Sequence, residues 1–376
     1  MKLGRLAAER KVIVCCGAGG VGKTTTSAAL GLAAAREGRR ALVLTIDPAR
    51  RLAQALGIPP TGRAPVQVAP EILAKHDVIL PKGGELHAWM LDPLVVLEGV
   101  VDRFAPTPAD ADRIRKTRLY QALSEVITGL QEYTAAEALF SFSEEGRYDL
   151  IVLDTPPSRN ALDFLDAPRR LVRFLEERTL SVFVPEPGAN PLLRAAAKIV
   201  RTALTKTFSE SFADDLATFL GAFGKLFSKM RVHAVGVRKL LRSNDSAFVV
   251  ITSPEDEALD EALYFRRRIG ELGLLAQGFV LNRSYASKQA LKHPTAVHTR
   301  SDDPDAAALA SALQKLVPLA ETETARIRLD EGLLARLEME GQREGGEGAL
   351  ALPYLDSVVE DIAALRILSE EILRAV

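Results

Sequence analysis

Residues 17–24 read GAGGVGKT, and the architecture of the chain is easiest to infer outward from them. They follow the apolar run VIVCC at 12–16 and open an alanine-rich helical pattern. A strand, a glycine-rich loop and a helix in this order are the context of a phosphate-binding P-loop. The glycines let backbone N–H groups converge on a phosphate, Lys23 adds positive charge, and the Thr24 hydroxyl is suited to Mg²⁺. The motif therefore predicts a site for a nucleoside triphosphate.

The composition limits the class of protein. The chain has 376 residues, of which 47% are hydrophobic, and its formal net charge is -1. This length suits one large α/β domain with an insertion, or two domains. The balanced charge does not favour a nucleic-acid partner. No apolar run approaches the roughly 20 residues that cross a bilayer, and residues 1–11 lack the apolar core of a signal peptide, so we expect a cytoplasmic protein without an integral membrane segment.

The two cysteines, Cys15 and Cys16, are neighbours in the first predicted strand. Adjacent strand residues point to opposite faces, so a disulfide between them is not expected and both are predicted to be core residues. The chain has no C-x-x-C pair and only five histidines. A structural zinc site, or a thiolate site for a metalloid, is therefore not expected.

Short apolar runs alternate with longer helical patterns along the chain. Continuous apolar runs are typical of strands buried on both faces, which indicates a mostly parallel central sheet flanked by helices. We therefore predict a single ATPase domain of the α/β P-loop NTPase class with an α-helical insertion subdomain. The predicted strand runs are 12–16, 41–46, 150–153, 248–252 and 279–281. The core is assigned to about 1–88, 146–178 and 244–376, and the helical subdomain to about 89–145 and 179–243.

The second insertion segment carries an apolar face. Residues 180–241 have apolar side chains at helical spacing and are locally basic. One interpretation is an amphipathic helix that packs on its neighbours and leaves a solvated basic face. The other interpretation is a surface for a client protein or for peripheral membrane contact. The face consists of Phe208, Phe212, Leu216, Phe219, Phe223 and Phe227.

Two acidic residues follow predicted strands at the edge where open α/β sheets bind ligands. Asp47 comes after the second strand and is the candidate to position the attacking water; it can also cap the helix that starts at Pro48. Asp154 ends the third strand and is the candidate carboxylate for indirect binding of Mg²⁺, with a nucleotide-sensing switch after it. The predicted catalytic residues are Lys23, Asp47 and Asp154, and the predicted metal-binding residues are Thr24, Asp47 and Asp154.

The late strand bears on the identity of the base. A guanine site of the common GTPase type shows the pattern [NT]-K-x-D after such a strand. Here residues 279–281 lead into Asn282 and Arg283 instead. ATP is therefore favoured as the nucleotide, with Mg²⁺ as its metal ion.

Taken together, the P-loop, DPA at 47–49, DTPP at 154–157 and LNR at 281–283 resemble the ArsA family, in the family's order and over nearly the whole chain. That family includes ATPases that drive arsenite pumps and ATPases that target tail-anchored membrane proteins. The resemblance implies a deviant Walker A fold, ATP-dependent closure of a dimer, and switches that link hydrolysis to movement of the helical subdomain. It implies a contact between Asn282 and adenine. The nucleotide-binding residues so identified are Gly19, Gly20, Val21, Gly22, Lys23, Thr24, Thr25, Asn282, Arg283 and Pro353.

Several features depart from the family's pattern. Without cysteines outside the first strand the thiolate metalloid site cannot be built, so an arsenite-pump role is not expected. The zinc-binding C-x-x-C that bridges some dimers of the family is absent as well. With only four methionines, the insertion lacks the Met-rich surface that adaptable client grooves favour. Binding of a client by the phenylalanine face stays open.

Ala18 is the departure with a mechanistic consequence. In deviant Walker A ATPases the residue after the first glycine is normally a lysine that reaches the partner's nucleotide, and here it is alanine. A homodimer of this chain would lack that charge. We hypothesise a heterodimer with a lysine-bearing homologue, beside the alternatives of a homodimer and of an arginine, such as Arg50 or Arg159, that supplies the charge.

Two other functions remain as alternatives. One is a positioning ATPase of the MinD/ParA type that binds a membrane or DNA. The closing helical pattern at 357–376 argues against it, because acidic residues are unfavourable beside anionic lipid. The other is a catalytically weak regulatory subunit that binds ATP to hold a heteromer closed. The acidic residues of the closing pattern are Glu360, Asp361, Glu370 and Glu371.

Overall fold

The computed structural model of this protein contains an eight-stranded sheet with helices on both faces. The strands are β1 (Val12–Gly17), β2 (Arg40–Thr45), β3 (Val66–Gln67), β4 (Glu85–Met90), β5 (Leu150–Asp154), β6 (Ser246–Thr252), β7 (Ala276–Ser284) and β8 (Ala349–Pro353). They lie in the order β3-β4-β2-β5-β1-β6-β7-β8, and every neighbouring pair is parallel except β3 with β4. The predicted α/β class with a mostly parallel sheet is confirmed.

The structure describes most of the core and part of the insertions. The described residues are 1–46, 51–60, 62–105, 107–117, 120, 130–156, 235–287, 306–355 and 361–375, with further helical positions at 191, 195, 198, 199, 202, 205, 232 and 233. The helices are α1 (Leu3–Glu9), α2 (Lys23–Arg36), α3 (Arg51–Leu56), α4 (Pro70–Ala74), α5 (Pro93–Phe104), α6 (Pro108–Arg115), α7 (Leu130–Glu145), α8 (Asp256–Glu271), α9 (Ala306–Gln342) and α10 (Ile362–Arg374).

The sheet is buried on both faces, which explains the continuous apolar runs. Alternate residues of β1 enter different clusters: Val12 and Val14 pack on the side of α5 and α7, and Ile13 packs on the side of α1, α2 and α10. Cys15 and Cys16 point to opposite sides in the same way and are free, buried thiols, as predicted. Burial raises the pKa of both thiols, that of Cys16 to about 12.

Strand β4 was not predicted and corrects one boundary. Its sequence ELHAWM is interrupted by Glu85 and His87, so it does not read as an apolar run. His87 is nevertheless buried, with its Nε2 2.9 Å from Oε2 of Glu85. The strand pairs with β2, which accounts for the long spacing between the second and third predicted strands. Residues 89 and 90, which we assigned to the helical subdomain, belong to the sheet, and the first insertion helix begins at Pro93.

The described parts of the first insertion segment are mostly helical, as its pattern predicts. The side chain of Asp92 accepts a hydrogen bond from the backbone N–H of Leu94 at the start of α5, and Thr107 accepts one from Asp110 at the start of α6. Both helices have proline in the first turn, where its missing N–H costs nothing. The phenylalanine face between 208 and 227 lies outside the described residues, and the predicted division into core and subdomain otherwise stays a prediction.

The closing helix packs against the core. Helix α10 spans Ile362–Arg374, shorter than the predicted 357–376, and Asp361 caps it by accepting from the N–H of Ala364. Its apolar side chains are buried against α1 and α2, and Arg36 of α2 donates to the hydroxyl of Ser369 across 2.9 Å. In the described part of the chain, no helix is long and apolar enough to cross a membrane.

Candidate nucleotide-binding site

The P-loop joins the end of β1 to the start of α2. A Cβ atom at Gly17 would lie 2.1 Å from the carbonyl oxygen of Ile251 on β6, so the loop can leave the sheet here only with glycine. Gly20 and Gly22 have φ angles of 79° and 90°, in the left-handed region that glycine adopts without strain. Gly22 precedes α2, so the free N–H groups of the first helical turn point into the loop. This geometry is that of an anion site at a helix N-terminus.

Lys23 folds over this loop. Its ammonium group donates hydrogen bonds to the carbonyl oxygens of Gly17 at 3.1 Å and Ala18 at 2.7 Å. The Lys23 side chain is buried. Its flexible stem would let the ammonium group exchange these carbonyl oxygens for phosphate oxygens with a small movement. Lys23 thus lies over the loop that we predict to hold the phosphates, and its contact with phosphate stays a prediction.

Asp154 meets the P-loop at the carboxyl end of β5. It is fully buried, and its Oδ2 accepts hydrogen bonds from the Thr24 hydroxyl and from the Thr45 hydroxyl, each across 2.8 Å. Strand pairing explains why Asp154 lies near both threonines, because Asp154 is opposite Cys15 of β1, the strand that leads into the P-loop, and opposite Thr45 of β2. The carboxylate and the threonine predicted to share a metal ion are thus in direct contact.

Thr45 is a site residue that the sequence analysis missed. It is the last residue of β2, and its hydroxyl points at the same carboxylate oxygen that Thr24 contacts. The signal in the sequence is weak, since a threonine at the end of an apolar run also reads as an ordinary strand residue. Only the pairing of β2 with β5 reveals the contact.

Thr155 ties the start of the predicted second switch to β1. Its hydroxyl donates to the carbonyl oxygen of Cys15 across 2.7 Å, and its backbone N–H points at the same oxygen from 3.3 Å. Residues 157–190 lie outside the described part of the chain. The switch is therefore anchored at Asp154 and Thr155, beside the P-loop.

Asn282 contacts the P-loop from the end of β7. Its side-chain amide is buried and donates to the carbonyl oxygen of Val21 across 2.8 Å. A Cβ atom at Gly22 would lie 2.2 Å from the same amide nitrogen, so the glycine makes room for it. The predicted contact with adenine is not tested by this structure. Asn282 is, however, brought to the loop that we predict to hold the phosphates.

The backbone of β7 is irregular just after Asn282. Arg283 is exposed and has a φ of 55°, unusual for a residue with a side chain. The pairing of β7 with β8 shifts register here and resumes where Ser284 lies opposite Pro353. Pro353 and Arg283 therefore lie close to the same edge of the sheet as Asn282.

An aromatic pair and a buried carboxylate extend this edge, and the sequence analysis missed both. The rings of Tyr285 and Tyr354 stack with centroids 5.1 Å apart and planes at 14°. Asp330 of α9 is buried and accepts hydrogen bonds from the Ser284 hydroxyl at 3.0 Å and the Tyr285 N–H at 2.6 Å. The long helix α9 is thus fastened to the end of β7.

Of the remaining residues singled out in the sequence, some lie in the described structure and some lie outside it. Gly19, Val21 and Thr25 lie in or directly after the loop, with Val21 buried. Asp47 lies outside the described residues, and so do Arg50 and Arg159; its proposed role in positioning water stays a prediction. Ala18 is 7% exposed, and its carbonyl oxygen is held by Lys23.

The donor atoms at this edge fit Mg²⁺. Hydroxyl and carboxylate oxygens, such as those of Thr24 and Asp154, are the hard ligands that this ion prefers. Among the residues described, no three or more His, Cys, Asp or Glu side chains cluster in a way that could hold a metal ion. A site that completes its coordination with phosphate oxygens and water needs no such cluster, and that is how Mg²⁺ binds in nucleotide sites.

Comparison with known proteins identifies a family of ATPases, which agrees with the P-loop geometry described above. The sequence model of the ArsA family, described as anion-transporting ATPase, matches residues 10–301. An Aquifex aeolicus protein named as a candidate arsenical pump-driving ATPase is 24% identical over 267 residues, covering 68% of this chain and 59% of that protein. ATPase ASNA1 homolog 1 of Paramecium tetraurelia is 30% identical over 176 residues, covering 44% and 46%.

A third relative is a bacterial protein whose name states no activity. Protein Rv2184c of Mycobacterium tuberculosis is 32% identical over 217 residues, covering 53% of this chain and 48% of that protein. This chain spans about half the length of the curated relatives it matches.

Proposed function

Because this chain belongs to the ArsA family of ATPases, we propose that it binds and hydrolyses Mg²⁺-ATP and acts as a dimeric switch. The observation that carries the proposal is the hydrogen bond of 2.8 Å between the P-loop hydroxyl of Thr24 and the buried carboxylate of Asp154. A P-loop that served only as a turn would have no need of a buried carboxylate at its threonine, since burying an unneeded charge is costly.

The residues around the loop have separate tasks in this proposal. The N–H groups of the loop bind the β- and γ-phosphates, and Lys23 leaves the carbonyl oxygens of Gly17 and Ala18 to donate to phosphate oxygens. Thr24 and Asp154 would hold the metal ion, the threonine as a ligand and the carboxylate indirectly. An ion held there would supply positive charge beside the phosphates. Asp47 orients the attacking water.

The switch function rests on the two segments that leave the site. In the sequence, residues 47–50 follow β2 and residues 157 onward follow β5, so both segments begin near strand ends beside the P-loop. A change at the γ-phosphate can therefore be passed to the insertion subdomain that follows Asp154. We propose that this subdomain binds a partner or client protein, in a homodimer or in a heterodimer with a lysine-bearing homologue.

The test is ATP hydrolysis by purified variants. Lys23→Ala and Asp154→Asn are expected to lower turnover by about 10²-fold or more, because each removes a charge that acts on the phosphates or their metal ion. Lys75→Ala, at an exposed lysine after α4, is the matched control and should turn over like the wild type. Equal turnover in all four proteins would refute the proposal, since the activity would not come from this site.

Asp47→Asn tests the proposed water-positioning role. The variant should bind ATP as tightly as the wild type, measured by calorimetry, and hydrolyse it more slowly, because an amide cannot accept a proton from water as a carboxylate does. Unchanged hydrolysis would leave Asp47 with the capping role alone.

A positioning ATPase of the MinD/ParA type is a weaker candidate. Membrane binding of the MinD type through α10 would need an accessible apolar face on that helix. The apolar face of α10 is instead buried against α1 and α2. This packing favours the ArsA-type switch.

A further inference from the structure

We propose that Thr45 is a positioning residue for the metal site: its hydroxyl holds the carboxylate of Asp154 in the orientation that the Mg²⁺ of bound ATP requires. The proposal deepens the proposed function and rests on it. It concerns a residue that does not touch nucleotide or metal and acts only through Asp154.

The geometry places two hydroxyl donors on one oxygen atom. Thr24 Oγ1 and Thr45 Oγ1 each lie 2.8 Å from Asp154 Oδ2. Thr45 and Asp154 are both buried, and a buried carboxylate needs donors close by to offset its lost hydration. The carboxylate is therefore clamped from the P-loop on one side and from β2 on the other.

The two donors differ in how their positions are determined. Thr24 belongs to the first turn of α2, and its oxygen is the group that we expect the metal ion to recruit. Thr45 lies within the sheet, paired with Met90 of β4 and with Asp154 of β5. Its place does not depend on nucleotide. Thr45 can hold the carboxylate both before and after Thr24 takes on its role as ligand.

A backbone contact reinforces the clamp. The N–H of Ile46 points at the carbonyl oxygen of Asp154 from 3.3 Å, one residue beyond the Thr45 hydroxyl bond. The end of β2 thus holds Asp154 at both its main chain and its side chain. The segment of Asp47 follows directly, so the same strand end that orients the metal-site carboxylate also begins the predicted water-positioning segment.

The experiment measures turnover against Mg²⁺ concentration at saturating ATP. Thr45→Val keeps the shape of the side chain and removes the hydroxyl; Thr45→Ser keeps the hydroxyl. In Thr45→Val the Mg²⁺ concentration for half-maximal rate should rise by about 10-fold, a usual effect of losing a group that orients a metal ligand, and in Thr45→Ser it should stay near the wild-type value. Binding of ATP without Mg²⁺ should be equal in all three proteins.

Thr117→Val is the matched control. It removes a buried hydroxyl that donates to the carbonyl oxygen of Ile114 across 2.7 Å, after α6 and outside the site. Its Mg²⁺ dependence should equal that of the wild type. Should Thr45→Val not fold, Thr45→Ala removes the same hydroxyl with a smaller side chain and gives the same comparison with Thr45→Ser.

The outcomes separate this inference from the function on which it rests. A wild-type protein without Mg²⁺-dependent ATP hydrolysis would overturn the proposed function and this inference with it. An active wild type whose Mg²⁺ dependence is unchanged in the variants lacking the hydroxyl would overturn the inference alone. Equal impairment of Thr45→Ser and Thr45→Val would also overturn it, because the hydroxyl would not be the cause.

Discussion

Two glycines of the P-loop, both with left-handed backbones, differ in what a side chain would meet. At Gly20 a Cβ atom would have no heavy atom within 4 Å, whereas at Gly22 it would lie 2.2 Å from the amide nitrogen of Asn282. Alanine at Gly20 therefore has only the cost of a left-handed backbone, about 1–2 kcal/mol. Alanine at Gly22 has that cost and also displaces the Asn282 amide from the carbonyl oxygen of Val21.

This difference predicts the stability of the two variants. Gly22→Ala should lower the free energy of unfolding by at least about 1 kcal/mol more than Gly20→Ala, because it adds the loss of a buried hydrogen bond. Denaturant unfolding of both variants measures the difference. In an Asn282→Ala background the excess should vanish. An excess that persists there would mean that Gly22 is constrained by something other than Asn282.

At the scale of secondary structure, helix α10 joins the end of the chain to the helix that follows the P-loop. Its buried residues include Leu365, Leu368 and Ile372, which pack in the same cluster as α2. Ser369 accepts a hydrogen bond from Arg36 at the last turn of α2. An amphipathic pattern alone does not tell a core helix from a membrane-binding helix. The acidic residues of this pattern argue against membrane binding, and the packing of α10 identifies it as part of the core.

Neighbouring residues of α10 provide a matched test. Leu368 is 2% exposed and Ile367 is 38% exposed. Leu368→Ala should lower the free energy of unfolding by about 2–5 kcal/mol, because it leaves a cavity, and Ile367→Ala should lower it by much less. Denaturant unfolding compares the two. Equal, small effects would indicate that α10 detaches easily from α2, which would revive the membrane-helix reading.

At the scale of the whole molecule, the position of Ala18 limits what a dimer of identical chains can do. Ala18 is packed in the loop rather than extended toward solvent, and its carbonyl oxygen accepts from the subunit's own Lys23. A second chain of the same kind would have alanine at position 18 and would not bring a lysine from that position to the partner's nucleotide. The proposed heterodimer with a lysine-bearing homologue would leave one site fast and the other slow.

Restoring the charge tests this account. Ala18→Lys should raise the ATPase turnover of the isolated protein, by as much as about 10³-fold if the lysine acts fully across the dimer. Ala18→Met, of similar length and uncharged, is the control, and unfolding curves of both variants check that the buried position tolerates a long side chain. Unchanged turnover in a stably folded Ala18→Lys dimer would contradict the hypothesis that the missing lysine at position 18 limits hydrolysis.

Much of this molecule follows from local sequence. The strand, loop and helix around GAGGVGKT are contiguous, so their geometry is determined by backbone conformation and by the glycines, and the parallel sheet follows from apolar runs buried on both faces. Lys23, Thr24 and Asp154 were predicted for the same reason: each stands at a recognisable strand or helix terminus.

Other features required the tertiary structure, because their partners are remote in the chain. Thr45 and Asp154 are 109 residues apart, and Asn282 and Val21 are 261 apart, yet each pair shares a hydrogen bond. Strand β4 escaped prediction because a histidine and a glutamate interrupt its apolar pattern, and only the pairing with β2 shows that it belongs to the sheet. The local sequence pattern determines which segments become strands and loops. The order of the strands in the sheet determines which side chains meet, and that order depends on how distant segments of the chain pack together.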